Sequence, residues 1–95
     1  MITIVARPTA DPDRLEEVKA ALVDLVEATL KEEGCLCYEL HQDNEHPNRF
    51  VFVERWENRK LWRQHMAGEG VRAFNARVSG GIIGFELQEL TKVAG

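Results

Sequence analysis

The stretch GCLCYELHQDNEHPNRFVFVERWEN, residues 34–58, holds two apolar segments separated by a polar run. From Cys35 to Asp43, Leu36, Tyr38 and Leu40 alternate with Cys35, Cys37, Glu39 and His41. Successive side chains of a strand point to opposite faces, so this alternation predicts a strand with Leu36, Tyr38 and Leu40 on its apolar side. Gln42 to Asn48 collects Asp, Asn and Pro, the chemistry of turns, and Phe50-Val51-Phe52-Val53 then opens a second strand that continues into Glu54-Arg55-Trp56-Glu57. The two strands form a hairpin. The second is apolar on both faces from Phe50 to Val53, yet helices on one side of a sheet cover only one face. Something else must cover the other, and the expectation is a homodimer paired through the sheets.

Upstream of the hairpin, Asp11 precedes Pro12, an N-cap followed by a proline at the first helical position. Leu15, Val18, Leu22, Leu25 and Thr29, with Val26 and Leu30 beside them, recur at spacings of three and four, and Gly34 offers a C-cap, so a helix is predicted over about 12–33. The opening ITIVARPTA is rich in β-branched residues and bounded by Pro8 and Pro12, which predicts a strand over about 2–9. Downstream, Asn58 caps a helix carrying Leu61, Trp62, His65 and Met66, and Gly68 and Gly70 interrupt it. A further helix over about 71–79 turns Val71, Phe74 and Val78 inward, and Gly80-Gly81 releases a last strand over 82–90. The order β-α-β, β-α-β predicts a ferredoxin-like α+β fold, a split βαβ arrangement in which a four-stranded antiparallel sheet carries helices on one face.

Composition bounds what such a chain does. Its 95 residues make a single domain over 1–95, since a second core would need roughly 100 more. Apolar residues at 44% and charged residues at 29% are the balance of a globular chain, not a disordered one. Sixteen acids against twelve bases leave a net charge of −4, which argues against a general nucleic-acid binder. The charge is uneven: residues 11–33 hold eight acids and three bases, whereas residues 59–77 hold Arg59, Lys60, Arg63, Arg72 and Arg77 against Glu69 alone. Solvated helix faces account for such runs, and so does attraction of a small anion. No apolar run is long enough to span a membrane, the N-terminus has no signal-peptide pattern, and Cys35 and Cys37 lie too close for an ordinary bridge. The expected setting is the cytoplasm, with no membrane partner.

Gly34-Cys35-x-x-Tyr38-Glu39-Leu40, a short turn containing Pro47, Phe50-x-x-x-Glu54-x-Trp56 and a helical His65 follow one another in register. In this the chain resembles the antibiotic biosynthesis monooxygenase family over nearly its whole length, and within it the quinol-monooxygenase-like branch. The resemblance implies a small dimeric α/β barrel. It also implies one of several activities: cofactor-free oxygenation of quinols and polycyclic phenols, isomerisation of phosphorylated signalling sugars, or haem degradation. The haem-degrading branch fits less well, since it carries Trp at the place of His65, a His ligand at the place of Asn75 and an Asn in the first strand that ITIVAR lacks.

Among the residues themselves, His65 has apolar neighbours one helical turn away and titrates near neutrality, which suits a base that takes a phenolic proton; a helix histidine capped by a carboxylate fits the same pattern. Trp56, Trp62 and Phe74 are candidates to line a cleft for a flat substrate, or to fill the core. Tyr38 either presents its hydroxyl to a helix-side cavity with Leu36 and Leu40 or is a buried tyrosine bonded to a backbone carbonyl. Glu54 shares its face with Phe50, Phe52 and Trp56, so it is either a structural anchor or a second acid/base group. His41 and His46, near Asp43 and Glu45, lie on a turn without defined ligand spacing, and Cys35-x-Cys37 has no second pair, so no metal is expected. Neither Gly68-x-Gly70 nor Gly80-Gly81-x-x-Gly84 has the strand and helix of a dinucleotide fingerprint, and Ser79 has no nucleophile elbow. The expectation is a cofactor-independent monooxygenase whose partners are an aromatic substrate, oxygen and a second copy of the chain. The rivals are an isomerase of a small phosphorylated carbonyl compound, held by Arg59, Arg63, Arg72 or Arg77, and a non-catalytic dimeric binding or stress-associated barrel.

Overall fold

The computed structural model describes residues 1–95. The chain runs β1 (Ile2–Ala10), a 3-10 turn (Pro12–Arg14), α1 (Leu15–Thr29), β2 (Cys35–Gln42), β3 (Phe50–Trp56), α2 (Arg59–Met66), α3 (Glu69–Arg77) and β4 (Ile82–Leu90). The strands form one antiparallel sheet in the order β2-β3-β1-β4, the ferredoxin-like α+β arrangement. No helix is long and apolar enough to cross a membrane.

Local chemistry sets most of the boundaries. Asp11 accepts the Asp13 backbone N–H at 2.9 Å, and Asn58 Oδ1 accepts the Leu61 N–H at 2.9 Å, so both N-caps act as the residue types require. Val18, Ala21, Leu22, Leu25 and Thr29 form the buried stripe of α1 against the sheet. Each such Val or Leu contributes about 1.5–3 kcal/mol of burial. The core continues through Ile4, Phe50 and Trp56, all fully buried on the helix side.

Several expected boundaries are corrected. The helix predicted over 12–33 is a 3-10 turn followed by α1, and it ends at Thr29, with turns over 30–34. Leu30, expected on the stripe, is exposed. The last helix begins at Glu69 and ends at Arg77, two residues earlier at each end than 71–79, because Gly68 supplies the extended N-cap while Gly70 is accommodated inside the helix. β1 passes through Pro8 to Ala10. The β1–β3 ladder stops at Ala6↔Phe52 and returns only as a Thr9↔Arg49 bridge, so a proline without an N–H is tolerated there inside a central strand. In β2 a register shift lies between Cys35 and Cys37: Cys35 pairs with Trp56 and packs against the core, and Leu36 is turned out to solvent. Leu36 therefore does not share a face with Tyr38 and Leu40, since a bulge of one residue reverses the phase on its far side.

Gly34 closes the turn between α1 and β2 at φ +82°, and a Cβ there would run into the Leu61 side chain. Gly34→Ala is expected to cost about 2–4 kcal/mol, because the left-handed backbone is strained and Leu61 Cβ, 2.9 Å away and fixed to the backbone of α2, cannot rotate clear. Urea unfolding measures it, and a variant as stable as the parent would contradict the assigned strain.

Candidate active site

Between the helix face of the sheet and the helices lies an apolar cavity of about 330 Å³. Leu22 and Leu25 of α1, Phe52 of β3 and Phe74 of α3 supply part of its apolar wall. Four polar side chains interrupt it: Tyr38, Glu54, His65 and Asn75. An apolar pocket with a few convergent polar groups is the usual form of a small-molecule site. Phe85 and Met66, both on the wall, are also exposed and so stand at its opening.

His65 is brought here by α2. Its ring is 3% exposed and held on three sides. Trp56 lies against it with ring centroids 4.8 Å apart and planes inclined by 31°, and Tyr38 meets it edge-on at 5.4 Å. On the third side Nδ1 is 3.0 Å from Glu32 Oε1. Nε2 makes no hydrogen bond within the chain. Burial pushes the imidazole below its ordinary value of 6.5 while Glu32 pulls the other way, so the ring is neutral at pH 7 and able to accept a proton.

Glu54 comes from β3, opposite Tyr38 of β2 in the ladder. Its Oε1 accepts the Trp56 indole N–H at 2.9 Å, and burial pushes its carboxyl up to about 7 against that bond, with Glu32 adding to the rise. It is a carboxylic acid poised to gain or lose its proton near neutrality. Burial also pushes the Tyr38 hydroxyl well above its ordinary 10, so it stays protonated and can donate a hydrogen bond. The thiols are kept protonated as well, Cys35 rising to about 11 through burial and the neighbouring Glu32 and Glu54 carboxylates. Neither has the depressed pKa of a reactive thiolate.

Of the residues singled out in the sequence, His65, Tyr38, Glu54 and Phe74 stand on the cavity wall. Trp56 lies behind His65 and Glu54, completely buried, and Trp62 is buried in the core cluster with its indole N–H unpartnered; neither is on the wall. His41 bonds Glu39 and His46 lies beside Asp43, all on the hairpin surface. Two participants are not among the site residues that the sequence suggests. Asn75 follows the spacing 71, 74, 75 and 78 of an inward helix face, so extending that count would have found it. Glu32 belongs to the acidic run 11–33 and carries no local signal, because its partner is 33 residues away.

Residues 1–77 match the family model for antibiotic biosynthesis monooxygenase. A crystal structure of an antibiotic biosynthesis monooxygenase superposes with a TM-score of 0.92 at 26% identity, covering 99% of this chain and 100% of that one. A Pseudomonas aeruginosa protein superposes with a TM-score of 0.91 at 28% identity, over 98% of this chain and 94% of that one. An uncharacterized protein of Synechocystis sp. is 31% identical over 64 residues, or 67% of this chain; the match takes in 44% of that protein, so this chain spans less than half its length. With the hairpin motif, the helical histidine and the sheet order all in the expected register, the chain belongs to the antibiotic biosynthesis monooxygenase family.

Proposed function

We propose that this chain is a cofactor-independent monooxygenase of a quinol or similar electron-rich aromatic, with His65 as the base. The observation that carries the reading is the make-up of the cavity wall: apolar and aromatic surface, a neutral buried histidine, a carboxyl near its midpoint at neutral pH, and no Lys or Arg. A flat, uncharged substrate suits such a wall. The basic side chains considered for a phosphate are engaged elsewhere or exposed: Arg59 pairs with Glu89 and Arg77 with Asp24, and Arg63 and Arg72 are exposed. That distribution weighs against the isomerase reading.

His65 Nε2 takes the proton of a substrate hydroxyl, and the resulting quinolate is electron-rich enough to reduce oxygen directly. One oxygen atom enters the ring and the other leaves as water, so the quinol is oxidised to a hydroxyquinone and O2 is fully reduced without an added reductant. The apolar wall keeps bulk water from the reduced oxygen species. Tyr38 and Asn75 offer hydrogen bonds that orient the substrate's oxygens. Oxygen uptake with a panel of benzoquinols and naphthoquinols tests the reading, and no uptake with any of them, against a no-enzyme control, would refute it.

The proposal includes a homodimer through the sheets. Val5, Val51 and Val53 alternate with the buried Ile4, Ala6, Phe50 and Phe52, so they stand half-buried on the face opposite the helices. Exclusion of that face from water would strengthen a chain with a small core of its own. Sedimentation equilibrium at micromolar concentration is expected to return twice the 10.8 kDa chain mass, and a monomer would refute the pairing.

A further inference from the structure

Glu32 lies outside the cavity wall, on the turn between α1 and β2, yet it reaches the one histidine that lines the cavity. That turn is itself fixed: the Glu32 N–H donates to Thr29 O at 2.9 Å, and its carbonyl accepts the Cys35 N–H at 3.3 Å. Its carboxylate then meets His65 Nδ1 at 3.0 Å, with the His65 side chain 2% exposed and that of Glu32 31% exposed. A carboxylate accepts hydrogen bonds only, so the contact places a proton on Nδ1 and leaves the Nε2 lone pair free. We infer that Glu32 is a positioning residue for His65: it holds the ring as the Nδ1–H tautomer and offsets the positive charge that the ring gains when Nε2 takes a proton. The catalytic half of this inference rests on the monooxygenase reading above; the pairing itself does not.

Other groups around the ring do not do this work. Tyr38 and Trp56 pack against its face and edge through their rings. Glu54 shares the cavity but spends Oε1 on the Trp56 indole, and Cys35 and Tyr38 stay protonated. No basic side chain hydrogen-bonds Glu32 to divert it. The proton balance is simple: the substrate O–H breaks, Nε2–H forms, Nδ1–H stays with Glu32, and the Nε2 proton is returned to the oxygen that leaves as water.

The experiment is long-range 1H–15N NMR of the intact protein across pH, for the wild type, Glu32→Gln and Glu32→Asp, paired with pH–rate profiles on the quinol panel. In the wild type the neutral His65 ring is expected to carry its proton on Nδ1. In Glu32→Gln the ring is expected to titrate at a pH lower by about 1 to 2, since a nearby opposite charge is lost. Its kcat is expected to fall on the order of 10- to 100-fold with KM little changed, and the acid limb of the profile should follow the NMR titration. Glu32→Asp, which keeps the charge on a shorter arm, is expected to recover part of both effects. A wild-type ring protonated on Nε2, or a His65 titration indifferent to Glu32→Gln and Glu32→Asp, would overturn the pairing. An altered titration with unchanged kcat would overturn its use in turnover. A wild type without oxygen uptake would overturn the monooxygenase reading while the NMR result still decides the pairing.

Discussion

His65→Gln is expected to leave a folded protein whose turnover of a verified quinol falls on the order of 10²- to 10⁴-fold, the usual loss on removing a general base. Gln occupies much of the ring's volume but has no site that takes a proton near neutrality. His65→Ala is the harsher test, because the ring is buried against Trp56 and Tyr38 and its removal opens a hole beside both. Loss of rate in the Ala variant therefore counts only beside a thermal melt. The wild-type profile should show an acid limb below the ordinary imidazole value, since burial outweighs the pull of Glu32. The same substitution at His41 or His46 is expected to change little, both being exposed on the hairpin. A folded His65→Gln enzyme with wild-type rates would end the assignment.

Glu54→Gln is expected to stabilise the protein above neutral pH by about 2–3 kcal/mol, raising its melting temperature by roughly 10–20 °C. The folded-state carboxyl titrates at about 7 and the free group at 4.5. Between those values the unfolded chain has given up this proton while the folded chain still holds it, so stability falls as pH rises through the interval. Above it the folded protein carries a buried carboxylate at a cost of about 3 kcal/mol, from 1.36 kcal/mol per pKa unit. A glutamine carbonyl can still accept the Trp56 N–H and never ionises, so the variant should lose this pH dependence while keeping the anchor. Melts at pH 5 and pH 8 measure the difference, and a variant that melts below the parent at pH 8 would show that the carboxylate is not a burden.

How much was legible follows from the range of each signal. The alternation around Tyr38 and from Phe50 to Trp56 is local, and it assigned faces: Tyr38 toward the helix side, Glu54 together with Phe50, Phe52 and Trp56 on a face whose side it left open. Helical spacing did the same for His65 and Phe74. The bulge at the start of β2 was not legible, because nothing in CLCYEL distinguishes an extra residue from regular alternation; only the ladder to β3 reveals that Leu36 is the one left out. Trp56 and Trp62 illustrate another limit. A pattern tells which face a side chain occupies but not whether that face meets a void or a neighbour, and both indoles are buried off the wall. Glu32 was hidden by its surroundings, one acid among eight in residues 11–33.

The position of β4 at the edge of the sheet bears on how such a site changes over time. Ile82, Phe85 and Leu87 of that strand line the cavity, whereas the proton-handling His65 and Glu54 come from α2 and the inner strand β3. An edge strand has a neighbour on one side only, so its side chains can be exchanged with less disturbance than those of β3, which pairs on both sides. The door and the chemistry are thus drawn from different strands. A lineage can resize the guest by drifting in β4 while the proton-handling groups stay where they are.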